Sequence, residues 1–125
     1  MTTIAKRHLI DHIVDQDKAE QLGIVVLDEL GPGGAHHLYA ISLDAFHPGL
    51  LVSFQKGPIG EVGLNGVSHE ALLAIVIDRL RCFQEGPYAS EYNRLALVHL
   101  RQGLDCLKRR TAERLERGVE GTSVA

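Results

Sequence analysis

The sequence has no tryptophan, one methionine and two cysteines among its 125 residues. Two cysteines do not make the disulfide framework of a small secreted domain, so we expect a protein of a reducing cytoplasm. Long apolar runs are also missing, because the longest, Ala71–Ile77, is far shorter than the roughly 20 residues that a membrane-spanning helix needs. The chain does not open with a basic segment followed by an apolar one. We therefore expect a protein that is neither secreted nor embedded in a membrane.

A strong net charge is missing too, since the formal value is -3 at pH 7. That balance gives no reason to expect binding to duplex nucleic acid, although a local basic patch could still hold a small anion. The composition, 45% hydrophobic and 23% charged, is typical of a folded globular protein. A chain of this length predicts a single domain over residues 1–125, with a β-rich part at 1–58 and a helical part at 59–125.

Spacings typical of catalytic or metal sites are absent as well. His8 and His12 have helical spacing and His36 and His37 are adjacent, but neither pair has a third ligand nearby. The glycine patterns of phosphate loops and dinucleotide folds do not occur in the connector before the first long helix. No nucleophile with its base, and no carboxylate pair, can be assembled from spacing. We therefore expect no metal, no cofactor and no catalytic residue.

The first half of the sequence predicts a small antiparallel sheet. Two β-rich runs, Ile24–Leu27 and Leu38–Leu43, flank the turn formers Gly31–Gly34 and predict a β-hairpin. A third strand is expected at Leu50–Phe54. Residues 4–21 fit either a short amphipathic helix or an irregular strand.

The second half predicts two helices that form a hairpin, so the fold class is α+β. Ser68 is a good N-cap for the first helix, which should end at Gly86 and Pro87. Ser90 should cap a second helix that runs to about Arg117. Each helix carries an apolar seam spaced three and four residues apart, namely Leu72, Leu73, Val76, Ile77, Leu80 and Phe83, and Leu97, Leu100, Leu104, Leu107 and Thr111. Cys82 and Cys106 lie on opposite helices, where they could meet in the core as small apolar residues.

The second helix should be about 27 residues, or roughly 40 Å long, and the first about half that length. The seam of the longer helix then extends beyond its partner within the chain. Such a seam usually packs on another subunit, which predicts at least a homodimer with a helical interface. The alternative is that the small sheet covers the extension.

Two groups of residues are candidates for ligand binding. Arg110, Arg114 and Arg117 lie on one face of the second helix, where guanidinium groups could bind phosphate, or could simply be a solvated helix end favoured by the helix dipole. Phe83 and Asn93 flank the hairpin turn. Phe83 could offer a stacking face and Asn93 an amide for a base edge, although core packing is the ordinary role of such a phenylalanine.

Three strings carry a resemblance to a known family: "FQKGP", "NGVSHEALLAIVIDRL" and "RTAERLERGVEGT". Across Phe54–Thr122 they resemble the helical-hairpin domain shared by phage anti-Thoeris and anti-CBASS sponge proteins. The preceding sheet, with "GGAHHLYAISL", is similar to the anti-Thoeris branch rather than the purely helical anti-CBASS branch.

The resemblance implies a protein without catalytic activity that acts in the cytoplasm of the infected bacterial host. Members of this family bind and sequester glycocyclic ADP-ribose made by Thoeris TIR proteins, and some also hold CBASS cyclic trinucleotides in separate pockets. The family implies a homodimer that assembles further to a hexamer. The sequence leaves open which isomer is preferred, whether cyclic trinucleotides also bind, and whether assembly stops at the dimer.

By motif position, the resemblance implies that Phe83 stacks on adenine and that Asn93 makes a polar contact. Arg110 and Thr111 would hold the pyrophosphate and riboses. Arg109 and Lys56 are further candidates for the phosphate rim or the cyclic-oligonucleotide pockets. Two alternatives remain at this stage: a hydrolase of the cyclic signal, and a helical-hairpin module that binds a protein partner.

Overall fold

The computed structural model describes residues 7–15, 22–43 and 48–125. The chain divides into two compact units. The sheet unit is the described part of Met1–Gly57 together with Leu64–Gly66, and the helical unit is Pro58–Gly63 together with Val67–Ala125. A sheet followed by a helical hairpin confirms the α+β class predicted from the sequence.

The sheet unit contains a four-stranded antiparallel sheet whose strands follow one another in sequence order. Its strands are β1 (Arg7–Leu9), β2 (Gly23–Val26), β3 (Leu38–Ser42) and β4 (Pro48–Ser53). The predicted hairpin and third strand are confirmed as β2, β3 and β4. Of the segment 4–21, residues 7–9 form a strand, as one of its two interpretations held, while 4–6 and 16–21 lie outside the described residues.

Each strand pairs with the next one along the chain, and apolar side chains then meet across the sheet. Val26 pairs with Tyr39 and is only 2% exposed. The Tyr39 ring packs edge-on against the Phe54 ring, with centroids 5.7 Å apart. These residues form the small core of the sheet unit.

The loop between β2 and β3 is held by one carboxylate. Asp28 accepts hydrogen bonds from the backbone N–H groups of His37, at 2.9 Å, and Leu38, at 3.2 Å. Burial by itself raises the pKa of Asp28, but these hydrogen bonds and the neighbouring His36 outweigh it and lower the pKa below its ordinary value. The carboxylate therefore fixes the point at which β3 begins.

The helical unit contains a short helix α1 (Ile59–Val62) and two long helices, α2 (His69–Glu85) and α3 (Glu91–Glu116). The sequence did not predict α1, since the connector was interpreted as a glycine-rich loop. Both predicted N-caps are confirmed: Ser68 Oγ accepts from the N–H of Ala71, and Ser90 Oγ accepts from the N–H of Asn93, each at 3.1 Å. The predicted helix ends are confirmed to within one residue.

The two long helices pack on each other along the predicted seams. In α3, Leu97 is buried and the other predicted seam residues are half-buried. In α2, none of the seam residues is fully buried, and Val76 is exposed. Both cysteines are exposed, so the prediction that Cys82 and Cys106 meet in the core is wrong.

The longer helix extends beyond the shorter one, though less than predicted. α2 has 17 residues and α3 has 26, so the first helix is about two-thirds rather than half as long as the second. The end of α3 also has a partner within its own chain, because the C-terminal tail, residues 118–125, folds back on it. The expectation of an entirely unpartnered extension is therefore wrong.

Candidate functional site

The C-terminal tail is held by the side chain of Arg114, which is only 9% exposed. Its guanidinium donates to the carbonyl oxygens of Val124 at 2.7 Å, Val119 at 3.0 Å and Thr122 at 3.2 Å. The same group forms an ion pair with Glu120 at 3.0 Å. With its donors engaged by the tail, Arg114 holds the chain end and has little capacity left for a ligand.

Two glycines allow the tail to approach α1 closely. Gly121 has a φ of +79°, which favours glycine, and its carbonyl oxygen accepts from the N–H of Gly60 at 2.8 Å. A Cβ on Gly60 would lie 2.6 Å from that same oxygen. The "GVEGT" string is thus explained by backbone geometry within the helical unit.

The predicted face of Arg110, Arg114 and Arg117 is therefore not a uniform phosphate site. Arg117 lies 3.6 Å from Glu113 and donates to the carbonyl oxygen of Ala125, so it also serves the tail and the helix end. Spacing along the helix could not distinguish an arginine that binds the tail from one that is free to bind phosphate. It carries no information on where residues 118–125 fold. Neither of the two interpretations of this face, a phosphate site or a solvated helix end, anticipated that Arg114 would bind the tail.

Arg109 and Arg110 differ from Arg114 in that both are exposed. Within the part of the chain that the structure describes, neither forms an ion pair or a side-chain hydrogen bond. Thr111, the next residue, is half-buried on the seam side of α3. The string "RRT" therefore presents two uncommitted cations followed by a hydroxyl, and guanidinium groups are common donors to phosphate oxygens.

The opposite end of the hairpin carries an open pocket of about 420 Å³ around Phe83. We name it the turn pocket, and its lining is mostly apolar: Arg79, Cys82, Phe83, Gly86, Pro87 and Tyr88. Phe83 is half-buried, so its ring belongs partly to the helix seam and partly to the pocket wall. A pocket with two aromatic side chains suits a planar ligand that stacks.

Asn93 lies beside this pocket, at the third residue of α3. Its side-chain nitrogen is 3.5 Å from the carbonyl oxygen of Tyr88, which is a pocket-lining residue. At that length the contact is weak, so the amide keeps most of its hydrogen-bonding capacity. The structure thus brings Phe83 and Asn93 to one end of the hairpin.

Sequence reasoning missed the residue that closes the turn, Gln84. Its amide nitrogen donates to the carbonyl oxygen of Ser90 at 3.1 Å, and its amide oxygen accepts from the N–H of Ser90 at 2.9 Å. This two-way clamp fixes the five residues between α2 and α3, including those that line the turn pocket. The sequence offered only a weak signal, namely two polar residues between Phe83 and the turn.

One chain does not bring the two halves of the predicted site together. Asn93 and Arg110 both lie on α3, and their 17-residue separation corresponds to about 26 Å along the helix axis. Phe83 and Asn93 thus lie at the turn end, whereas Arg109, Arg110 and Thr111 lie near the tail end. A single protomer could not place both sets against one small nucleotide.

Lys56 belongs to the sheet unit and lies in a different environment. It is exposed and lines a second pocket, of about 320 Å³, together with Asp28, His37 and Asn65. The Asn65 side chain accepts from the Lys56 N–H and donates to the Lys56 carbonyl oxygen, each at 2.8 Å. The backbone of Lys56 is therefore fixed while its ammonium group remains at the surface.

Nowhere in 7–15, 22–43 and 48–125 do three or more His, Cys, Asp or Glu side chains group in a way that could hold a metal ion. Among the helices of those residues, none combines the length and apolar character needed to cross a membrane.

Comparison with known proteins covers the region of the turn pocket and of "RRT". The family model described as Acb2/Tad1, hairpin domain, matches residues 50–112. The protein named Thoeris anti-defense 1, from Bacillus phage SBSphiJ7, is 49% identical to this chain over 71 residues, which are 57% of this chain and 50% of that protein. The match thus spans half the length of that curated relative. The residues to which the family resemblance gives a ligand contact all fall within 50–112, whereas Arg114, Arg117 and the tail lie beyond that range. Because the family model covers half of the chain, the protein belongs to the Acb2/Tad1 hairpin-domain family.

Proposed function

We propose that this protein is a phage anti-defence sponge, which binds an immune signalling nucleotide in the infected host and sequesters it without cleaving it. The ligand we propose is glycocyclic ADP-ribose made by Thoeris TIR proteins, with CBASS cyclic trinucleotides as a second class. The observation that carries the proposal is the 49% identity, over 71 residues, to a protein named Thoeris anti-defense 1.

In this proposal the two ends of the hairpin divide the ligand between them. Phe83 stacks on the adenine and Asn93 contacts a polar group at the same end. Arg110 and Thr111 bind the pyrophosphate and the riboses, and Arg109 adds charge at the rim. Lys56, in the other unit, is proposed for the phosphate rim or for a separate cyclic-oligonucleotide pocket.

A second copy of the chain completes this site. The distance of about 26 Å between Asn93 and Arg110 is too long for one protomer, but two antiparallel hairpins would place the turn end of one beside the tail end of the other. Exposed apolar side chains on the two helices support such an interface: Ile75, Val76, Leu95 and Val98. We propose a homodimer on this basis, assembling further to a hexamer as the family resemblance implies.

The energetics of a sponge are consistent with this site. Nanomolar affinity corresponds to about -12 kcal/mol. A stacked base and a pyrophosphate bound by arginines from two chains can supply that free energy when the site is formed before the ligand arrives. The Ser90 cap of α3 and the Gln84 clamp favour such preorganisation of the turn end.

Titration calorimetry tests the proposal most directly. The purified protein is titrated with glycocyclic ADP-ribose isomers and with cyclic di- and trinucleotides, after which the ligand is released by heat and chromatographed. We expect nanomolar binding and intact recovered ligand. Altered ligand would indicate a hydrolase. Saturation at 1,000 times Kd should raise the free energy of unfolding by about 4 kcal/mol, so an unchanged Tm with every nucleotide would favour a protein-binding module instead.

A further inference from the structure

Arg79, a cation at the turn pocket, was not among the residues predicted to bind the ligand. The guanidinium carbon of Arg79 lies over the Phe83 ring, 5.0 Å from its centroid. The two residues are one turn apart on α2, which places their side chains on the same face of the helix. Arg79 therefore covers one face of the Phe83 ring, so the base that we propose to stack on this ring would take the other face.

The charge of Arg79 is not compensated by the helix around it. Within the described residues, Arg79 forms no ion pair and no side-chain hydrogen bond. The positions one turn before and after it are occupied by Ile75, Val76, Cys82 and Phe83, none of which carries a carboxylate. By contrast, the neighbouring Arg81 is paired with Asp78 at 2.7 Å.

The turn pocket combines this cation with an apolar wall. Of its six lining residues, Arg79 alone carries a formal charge, and the others supply two aromatic rings, a thiol, a proline and a glycine. A guanidinium beside apolar surface is weakly hydrated and presents several donors in one plane. Such surroundings are suited to a planar aromatic ligand that carries an anionic group close to its ring.

We propose that Arg79 is a ligand-binding residue of the turn pocket, whose guanidinium binds the anionic group of a nucleotide while the base stacks on Phe83. The inference rests on the proposed function, because it assigns one more contact to the same nucleotide. It adds a positive charge at the turn end, where the site otherwise offers only Phe83 and Asn93. The phosphates then meet cations from both ends of the hairpin.

The experiment compares Arg79→Met with Arg81→Met in the full chain. Both substitutions remove one positive charge from an exposed position of α2, but only Arg79 lines the turn pocket. Calorimetry is carried out with glycocyclic ADP-ribose at low and at raised NaCl, and Tm is recorded for each variant. We expect Arg79→Met to weaken binding roughly ten- to hundredfold, as loss of a charge-assisted hydrogen bond does. Its affinity should also fall less steeply with salt than that of the unmodified protein, because a screened ionic contact is gone.

The control should behave differently. Arg81→Met should leave both the affinity and its salt dependence unchanged, and Arg79→Lys, which keeps the charge without the planar donors, should bind between the unmodified protein and Arg79→Met. Equal affinities for Arg79→Met and Arg81→Met would overturn the inference while leaving the proposed function standing. An unmodified protein that bound no nucleotide would overturn the proposed function, and the inference with it.

Discussion

In each of the two units of this protein, one charged side chain binds a stretch of irregular backbone, and the two charges have opposite signs. In the sheet unit, the Asp28 carboxylate accepts from the N–H groups of His37 and Leu38. In the helical unit, the Arg114 guanidinium donates to three carbonyl oxygens of the tail. The sign of the charge follows from the backbone groups that lack partners. A carboxylate accepts from free N–H groups where a strand begins, and a guanidinium donates to free carbonyl groups where the chain turns back after a helix.

The comparison separates structural charges from candidate binding charges. Asp28 and Arg114 both bind the backbone of their own unit. Arg79 and Arg110 have no such partners among the described residues and remain at the surface. A charge that the fold leaves uncommitted is the better candidate for a ligand contact, and substitutions should therefore affect stability in the first pair and binding in the second.

The largest expected effect is on stability, for Arg114→Met. Removing the guanidinium leaves three tail carbonyls and Glu120 without their partner, so the free energy of unfolding should fall by about 2–4 kcal/mol. Urea unfolding followed by circular dichroism measures the change. Arg117→Met is the matched control, since its more exposed ion pair should contribute less than about 1 kcal/mol. Equal losses in the two variants would contradict a special role for Arg114.

Arg110→Ala should instead weaken ligand binding. We expect the affinity for glycocyclic ADP-ribose to fall by about a hundredfold, or roughly 2.7 kcal/mol, because a phosphate contact is lost. Stability and oligomeric state should be unchanged, since Arg110 has no partner in the described part of its own chain. Calorimetry and sizing by light scattering measure the two properties. A variant that still protected TIR effectors from activation at equimolar signal would show that the assignment is wrong.

Asp28→Asn should reduce stability by about 1–2 kcal/mol at pH 7, since Asn can accept only one of the two backbone hydrogen bonds well. Because the pKa of Asp28 is lowered in the folded protein, its contribution is fully present above its unfolded pKa of about 3.9 and is lost as the pH falls through the folded value. The difference between the two proteins should therefore shrink below about pH 4. Thermal melts between pH 7 and pH 3.5 measure it, and a difference that stayed constant across that range would contradict the carboxylate's role.

The smallest expected effects concern the two caps. Ser68→Ala and Ser90→Ala should each reduce stability by about 1 kcal/mol, because each removes one side-chain acceptor at a helix start. Only Ser90→Ala should also weaken ligand binding, since Ser90 fixes the first turn of α3, where Asn93 lies. Calorimetry on both variants decides the point. Unchanged affinity in Ser90→Ala would indicate that the turn end does not need this cap to hold its geometry.

Much of the fold could be predicted because its signals are local. Ser68, Ser90 and the Gly86–Pro87 pair mark helix boundaries by the chemistry of their own side chains and backbone, and the structure confirms these boundaries to within one residue. Apolar spacing likewise predicted which face of α3 meets α2. The short helix α1 was not predicted, because four residues are too few to show the apolar spacing that marks a helix.

The candidate site was less accessible to prediction. Phe83, Asn93 and Arg110 were candidates from their positions and spacing, and the family resemblance gave them specific roles, which remain predictions. Arg79 was missed although it lies one helical turn from Phe83, because a lone arginine on a helix is ordinary in sequence. The exposure of Cys82 was missed for a related reason: a position near an apolar seam does not reveal on which side of it the side chain falls.

The sequence by itself determined the order of the elements, their caps and their seams, since these depend on neighbours three or four residues away. The tertiary structure alone decided which charges are committed. Arg110 and Arg114 are one turn apart and identical in kind, yet the tail binds one and leaves the other at the surface. Only the folded positions of Val119, Thr122 and Val124 distinguish them, because the strength of a hydrogen bond depends on distance and direction in space rather than on separation along the chain.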